Sequence, residues 1–162
     1  MKKPISIKLN GSVRAVEIEP SDILLDVLRE KLGVKSPKIG CERGDCGVCT
    51  VIMNGRTVRS CLVLAIEADG AAITTIEGLQ ADGPTPLQQS FIKNNSFQCG
   101  FCAPGMVLSA TELLAKNPDP DEEEIKEAIS GNLCRCTGYE PIIKAIREVA
   151  RNAPKSSRGK RR

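Results

Sequence analysis

The cysteines of this chain are the feature that most limits what it can fold into. Eight of its 162 residues are cysteine, and they form two groups of four, one in each half of the chain. The groups are Cys41, Cys46, Cys49, Cys61 and Cys99, Cys102, Cys134, Cys136. No secretory signal is visible, so the reducing cytoplasm is the expected compartment, and four structural disulfides are disfavoured there. The two groups therefore predict two metal-binding loops.

Histidine is absent from the chain, which narrows the possible chemistry. Histidine-ligated zinc, histidine-ligated haem and Rieske-type clusters are excluded, and so is a histidine general base. Sulfur is thus the expected ligand in both loops.

The first cysteine group has the spacing C-x4-C-x2-C, with Cys61 following after eleven further residues. This spacing is typical of plant-type [2Fe–2S] ferredoxins. Gly40, Gly44 and Gly47 accompany it, as expected of a loop that turns sharply and brings backbone N–H groups close to sulfur. Zinc held by four cysteines is the alternative, but zinc modules usually pair two C-x2-C units and this loop has one.

The second cysteine group combines C-x2-C in QCGFC with C-x-C in LCRC. Each pair precedes a predicted helix, one starting near Pro104 and the other near Pro141. Two helix N-termini are then expected to converge on the thiolates and stabilise their negative charge. The spacing alone leaves a second iron–sulfur cluster, a zinc site and a redox dithiol open.

The first half of the chain reads mainly as strands. Alternating apolar and polar residues flank two Asn-Gly pairs, at 10–11 and 54–55, which predicts two hairpins. One amphipathic helix is expected after the first hairpin, with Ser21 or Asp22 as its N-cap and Gly33 at its end. With a last strand in AAITTIE, the pattern predicts a small mixed sheet covered by a helix.

The second half reads mainly as helices. Four stretches carry apolar residues three and four positions apart, which predicts a compact bundle of four short helices. The fold class expected is therefore α+β. Its parts are a domain at 1–78, a linker at 79–86, a helical domain at 87–152 and a disordered basic tail at 153–162.

Composition argues against nucleic acid and membrane partners. Only 2% of residues are aromatic, and the formal charge of +3 depends on five cations in residues 155–162. The rest of the chain is net negative and offers neither a basic face nor a stacking platform. No apolar stretch is long enough to span a bilayer.

Several longer motifs resemble one known family. GCERGDCGVCTVIMNG, SCLVLA, TTIEGL, QCGFCAPGMVLSA and GNLCRCTGYEPIIKAI are similar to the iron–sulfur subunit, or N-terminal iron–sulfur domain, of the molybdenum hydroxylases. That family includes xanthine dehydrogenase, aldehyde oxidoreductase, molybdenum–copper carbon monoxide dehydrogenase and 4-hydroxybenzoyl-CoA reductase. The resemblance covers residues 4–150 and includes all eight cysteines.

The resemblance implies two [2Fe–2S] clusters and a role in electron transfer. The first would lie in a ferredoxin-like β-grasp domain, and the second in a four-helix domain, each held by one cysteine group. Gln98 and Cys136 match positions that contact molybdopterin in related enzymes. The implied partners are a large molybdopterin subunit and a medium FAD subunit, in an assembly such as a dimer of heterotrimers.

No substrate-transforming site is predicted on this chain. It has no G-x-G-x-x-G fingerprint, no P-loop and no nucleophile with a base, so no catalytic residue is assigned. The expected function is that of the electron-transfer subunit of an oxidoreductase complex. A zinc-binding interaction module and a free ferredoxin-type shuttle are the alternatives.

Overall fold

The structure, a computed structural model, describes residues 1–80 and 83–152. A mixed sheet with short helical segments occupies the first half of the chain, and longer helices occupy the second. This arrangement confirms the α+β class. No helix among the described residues has the length and apolar character needed to cross a bilayer.

Five strands form one sheet within the described part of the chain. They are β1 (Lys3–Leu9), β2 (Ser12–Ile18), β3 (Thr50–Met53), β4 (Arg56–Arg59) and β5 (Ala72–Thr74), in the order β2-β1-β5-β3-β4. The central pair, β1 with β5, is parallel, and the other neighbours are antiparallel. The sheet is therefore mixed, as predicted.

Both predicted hairpins are present. Asn10 and Gly11 connect β1 to β2 with φ angles of 50° and 85°, and Asn54 and Gly55 connect β3 to β4 with φ angles of 50° and 81°. These left-handed pairs are the turn that suits the twist of a two-residue hairpin.

The helix after the first hairpin differs from its prediction in two respects. It consists of α1 (Leu24–Asp26) followed directly by a π-helical turn, Val27–Lys31. The predicted N-cap was wrong, because Ile23 occupies that position without a side-chain cap and bridges to Leu64. Asp22 instead accepts hydrogen bonds from the Glu19 N–H and the Lys31 ammonium. The predicted end is confirmed by Gly33 at φ 72°.

The four predicted helices of the second half are all present. After a short helix α2 (Ile76–Leu79) come α3 (Pro86–Lys93), α4 (Ala103–Lys116), α5 (Glu122–Ile129) and α6 (Glu140–Asn152). Thr85 and Asp121 cap α3 and α5 through reciprocal hydrogen bonds with Gln88 and Glu124. Such capping boxes satisfy amides that the first helical turn leaves without partners.

Each half of the chain has its own hydrophobic core. The first core packs the inner face of the sheet against α1 and includes Ile7, Ile18, Leu24, Leu28 and Ile73. The second packs α3 to α6 together around Phe91, Met106, Ile125, Ile142 and Ile146. The domain bounds 1–78, 79–86 and 87–152 stay a prediction, and Ile76 and Leu79 of α2 pack against the second core. The predicted disordered tail, 153–162, lies outside the described residues.

Candidate metal centres

The first cysteine group is assembled by the β3–β4 hairpin and the loop before it. Cys49 immediately precedes β3, and Cys61 lies in a 3₁₀ turn, Ser60–Leu62, immediately after β4. Antiparallel pairing of the two strands brings Cys49 Sγ to 3.4 Å from Cys61 Sγ. The Ser60 hydroxyl secures this end of the hairpin with a 2.7 Å hydrogen bond to the Cys49 carbonyl. A sequence separation of twelve residues thus becomes a contact between sulfurs.

The other two cysteines of this group lie in the loop that wraps over the pair. The Cys46 N–H donates to Cys41 Sγ at 3.3 Å, and both residues are half-buried. Hydrogen bonds from the amides of Arg43 and Cys46 lower the pKa of Cys41 to about 6. Backbone donors of this kind stabilise a thiolate, so Cys41 is prepared to bind metal.

Burial has the opposite effect on the inner sulfurs of the first group. Cys49 and Cys61 are only 2% and 8% exposed. Burial, then the neighbouring Cys49, raises the pKa of Cys61 to about 11. A bound metal cation would offset that cost, because thiols that coordinate a metal lose their proton.

Two positions of the first cysteine loop require glycine because neighbouring atoms leave no room for a side chain. A Cβ on Gly40 would lie 2.8 Å from a methyl of Val48 and 3.0 Å from Cys46 Sγ. Gly47 has φ 72°, and a Cβ there would lie 2.2 Å from the carbonyl oxygen of Gly131. The sequence predicted sharp turning at these glycines, and the structure adds that Gly47 is where the second domain touches the loop.

The second cysteine group joins the start of α4 to the turn before α6. Cys99 Sγ lies 3.6 Å from Cys136 Sγ, and the Cys102 and Cys134 thiols are hydrogen-bonded to each other. Helix α4 begins at Ala103, next to the predicted start near Pro104, and Cys102 is its N-cap. The amides that reach Cys134 belong to Cys136 and Thr137, in the turn that precedes α6, and not to the first turn of that helix.

In the second group, as in the first, burial raises the pKa of an inner cysteine and hydrogen-bond donors lower the pKa of an outer one. Burial, then the Cys134 thiol, raises the pKa of Cys102 to about 12. The Phe101 amide and the Cys136 thiol lower the pKa of exposed Cys99. Burial raises the pKa of Cys134, but donors from the Thr137 hydroxyl and the turn amides outweigh it and lower the pKa overall.

The sulfurs of each group come in two pairs. Within residues 1–80 and 83–152, no three Cys, Asp, Glu or His side chains converge on the position of a single metal ion. A [2Fe–2S] cluster takes two thiolates on each of two irons, and the pairs Cys49 with Cys61 and Cys99 with Cys136 match that arrangement.

A backbone hydrogen bond connects the two cysteine loops. The Leu133 N–H donates to the Cys46 carbonyl at 2.9 Å, and Leu133 is the residue before Cys134. Cys134 of the second group and Cys46 of the first are therefore linked through backbone atoms and a single hydrogen bond.

Gln98 and Cys136 lie together on the surface beside the second group. The Gln98 side-chain amide donates to the Cys136 carbonyl at 3.0 Å. Gln98 and Cys99 are exposed, and the Phe101 ring beside them is 47% exposed. The structure thus brings the two predicted pterin-contact residues within hydrogen-bonding distance of each other.

Sequence reasoning missed the polar residues between the two loops. Arg59 donates to the Gly131 carbonyl at 2.7 Å and to Thr50 Oγ1 at 2.8 Å, and Asn132 donates to the Gly47 carbonyl at 3.0 Å. These partners lie up to 85 positions apart, so no local pattern could have indicated them. Asn132, in the motif GNLCRC, stands beside the ligands but has no ligand chemistry of its own.

Two family models cover almost the whole of the described chain. Residues 7–74 match the 2Fe-2S iron-sulfur cluster binding domain, and residues 75–147 match the [2Fe-2S] binding domain. The two halves are therefore two iron–sulfur domains, a ferredoxin-like one followed by a helical one.

Relatives match along nearly the full chain. The small FeS subunit of nicotinate dehydrogenase from Eubacterium barkeri is 53% identical over 147 residues, which cover 90% of this chain and 94% of that subunit. The iron–sulfur-binding subunit of Escherichia coli K12 aldehyde oxidoreductase is 40% identical, covering 91% of this chain and 71% of its own length. A chain of the quinoline 2-oxidoreductase crystal structure from Pseudomonas putida 86 superposes with a TM-score of 0.88 at 47% identity, covering 94% and 98% of the two chains.

Fold, sites and relatives define a class, the electron-transfer proteins that hold two [2Fe–2S] clusters in consecutive domains. Within that class, the chain belongs to the family of small iron–sulfur subunits of the molybdenum hydroxylases. It is accordingly the iron–sulfur subunit of an oxidoreductase complex. None of these matches supports the zinc module or the free shuttle.

Proposed function

We propose that this chain relays electrons one at a time between a molybdopterin centre on a large partner subunit and an acceptor on the opposite side. The observation that carries the proposal is the hydrogen bond from the Leu133 N–H to the Cys46 carbonyl. It provides a short, continuous connection between the two cysteine loops.

The ligand assignment follows the sulfur pairs. Cys41, Cys46, Cys49 and Cys61 would hold the first cluster, and Cys99, Cys102, Cys134 and Cys136 the second. When bound, each [2Fe–2S] cluster supplies a one-electron redox centre whose potential depends on burial and on hydrogen bonds to sulfur. In each loop, one face of the cysteine set is buried by protein and the other carries amide donors. The protein therefore excludes water from the inner sulfurs and stabilises negative charge on the outer ones.

The second cysteine group is the proposed entry point for electrons. Exposed Gln98 is hydrogen-bonded to the Cys136 carbonyl, Phe101 is exposed two residues after Cys99, and the resemblance assigns Gln98 and Cys136 to molybdopterin. An exposed ring beside an exposed thiol is a surface that a partner can cover, which would also exclude water from Cys99. We infer that the large subunit docks here.

The remaining partners follow from the family. A medium subunit carrying FAD would accept electrons near the first cysteine group, and the complex would be a cytoplasmic assembly such as a dimer of heterotrimers. The chain's own sequence lacks a nucleotide-binding fingerprint, so FAD would have to be held by another subunit.

The names of the relatives favour a substrate class for the complex. Nicotinate dehydrogenase, nicotine 6-hydroxylase and quinoline 2-oxidoreductase are named for N-heteroaromatic compounds, and they are 53%, 48% and 47% identical to this chain. The aldehyde oxidoreductase subunit is 40% identical. We propose that the complex oxidises an N-heteroaromatic ring, with all substrate contacts on the large subunit.

The test is to isolate the complex through a tag on this chain and to add nicotinate without oxygen. Co-purified molybdenum and flavin, with both cluster signals appearing on addition of substrate, would support the proposal. Gln98→Ala should slow reduction by substrate but not by dithionite, and Gln89→Ala, on exposed α3 surface, is the matched control. Full cluster content without any molybdenum-bearing partner would contradict the proposal, as would a Gln98→Ala variant that behaves like the control.

A further inference from the structure

A buried asparagine lies where the two cysteine loops meet. Asn132 is 1% exposed, and its side-chain Nδ2 donates to the Gly47 carbonyl at 3.0 Å and to Thr50 Oγ1 at 3.2 Å. Its Oδ1 accepts a 2.8 Å hydrogen bond from the Ser109 hydroxyl. One side chain thus contacts the first cysteine loop, strand β3 and helix α4 at once.

The orientation of this amide is determined by its partners. The Gly47 carbonyl can only accept a hydrogen bond, so the NH₂ group must face it. Ser109 then donates to the remaining oxygen. All the principal donors and acceptors of the side chain are used, which favours a single rigid arrangement.

Two glycines form the space in which the amide lies. A Cβ on Gly47 would approach Asn132 Nδ2 to 2.8 Å, and a Cβ on Gly105 would lie 2.8 Å from the same atom and 2.5 Å from the Gly47 carbonyl. Residues 47 and 105 come from different domains, and neither can carry a side chain while the loops keep this separation. The domains therefore touch here at backbone distance.

The backbone of the same segment carries the connection between the cysteine loops. Leu133, the next residue, donates to the Cys46 carbonyl, and Cys46 is the residue before Gly47. Two adjacent residues of one loop are hydrogen-bonded to two adjacent residues of the other. Asn132 is consequently in a position to fix the geometry of the Leu133 to Cys46 hydrogen bond.

We infer that Asn132 is a positioning residue that sets the distance between the two clusters by holding the first cysteine loop against the second. The inference rests on the proposed relay but concerns a residue that is a ligand of neither cluster. Replacing its NH₂ group should let the loops separate and lengthen the electron path, while all eight cysteines remain.

The test compares three variants of the full chain, each carrying both clusters. Asn132→Asp replaces the donor by an oxygen that repels the Gly47 carbonyl, at almost unchanged volume. Gly105→Ala keeps every polar group but introduces a methyl at the contact, so it serves if the buried carboxylate prevents cluster loading. Thr111→Ala is the control, because it removes a hydroxyl from the same helix, α4, whose 2.8 Å hydrogen bond goes to the Val107 carbonyl and leaves every partner of Asn132 in place.

The readout is the magnetic splitting between the two clusters in electron paramagnetic resonance after reduction with dithionite. This dipolar interaction falls with the inverse cube of the distance, so it reports separation and not general stability. We expect splitting in the wild type and in Thr111→Ala, and its loss or marked narrowing in Asn132→Asp and Gly105→Ala at unchanged iron content. Wild-type splitting in either of these two variants would overturn the inference, as would equal loss in the control or two loaded clusters without splitting in the wild type. A wild-type chain that binds no cluster would instead refute the proposed function.

Discussion

The backbone N–H of Leu133 lies 2.9 Å from the carbonyl oxygen of Cys46 and donates a hydrogen bond to it. Through this bond, the loop of the helical domain that carries Cys134 and Cys136 is attached to the loop of the ferredoxin-like domain that carries Cys41, Cys46 and Cys49. Separation of the domains and interruption of the electron path would therefore be the same event.

Gly47→Ala should destabilise the protein at this contact. Its φ of 72° makes alanine strained by about 1–3 kcal/mol, and the new Cβ would also meet the Gly131 carbonyl at 2.2 Å. Gly55→Ala is a matched control, since Gly55 has φ 81° but nothing within 4 Å of an added Cβ. Denaturant unfolding should show a clearly larger loss of unfolding free energy for Gly47→Ala. Equal losses in the two variants would mean that the close approach of the loops is not real.

The two cysteine groups should lose their clusters independently. Cys61→Ser removes a buried ligand of the first group, and Cys134→Ser removes one of the second. Each variant should retain about half of the iron and one of the two [2Fe–2S] signals, because each group holds a complete set of four thiolates. Iron analysis with electron paramagnetic resonance distinguishes the signals. If one substitution abolished both clusters in folded protein, the assignment of separate sites would be wrong.

Much of the fold could be predicted because its signals are local. The Asn-Gly pairs specify both hairpins, and the apolar spacing of the second half specifies α3 to α6. The cap of α1 could not be predicted in this way. Asp22 has the right side chain for an N-cap, but it is used by the Glu19 amide and Lys31, while Ile23 is held by a bridge to Leu64 some forty positions away.

Tyr139→Phe should affect the second cysteine group and leave the first unchanged. The Tyr139 hydroxyl accepts from the Cys134 N–H at 2.9 Å and donates to the Asn132 carbonyl at 3.2 Å. Removing it leaves two polar groups without that partner, which should cost about 1–3 kcal/mol of unfolding free energy. Hydrogen bonding around a ligand also tunes the metal, so the potential of the second cluster should shift.

A redox titration that follows the two cluster signals separately checks the Tyr139 prediction. The ring itself is kept in Tyr139→Phe, so lost packing does not contribute. Equal shifts in both potentials, or no shift with full stability, would show that the hydroxyl has no specific role at Cys134.

Glu112 should make domain attachment sensitive to acid. Its carboxylate, on α4, accepts a 2.8 Å hydrogen bond from the Thr57 N–H of β4 and pairs with Lys116. Burial raises the pKa of Glu112, but Lys116 and Thr57 outweigh it and hold the pKa below its usual range. Because the folded pKa lies below the unfolded value of about 4.3, the stabilisation is complete above that pH and is lost as pH falls through the folded pKa.

Glu112→Gln should therefore cost about 1–3 kcal/mol of unfolding free energy at pH 7 and progressively less as the pH falls below about 4.3. Unfolding curves across this pH range test it, with exposed Glu17→Gln on β2 as the control. A difference between wild type and Glu112→Gln that did not shrink in acid would contradict the role assigned to the carboxylate.

The cysteine ligands of the candidate sites could be predicted from the sequence, whereas the residues that hold the two domains together could not. A metal loop must place its ligands close together in sequence, so the spacing of Cys41, Cys46 and Cys49 is itself informative. The contacts that hold the domains together are made by Arg59, Asn132 and Glu112, whose partners are brought near only by folding. Neither residue type nor spacing distinguishes such residues from ordinary polar ones.

Iron and acid-labile sulfide analysis of anaerobically purified protein, with electron paramagnetic resonance of the dithionite-reduced sample, tests the central claim most directly. We expect about four irons and four sulfides per chain and two distinguishable [2Fe–2S] signals. Zinc in place of iron, with no labile sulfide even after anaerobic reconstitution, would contradict the account and indicate a structural metal protein.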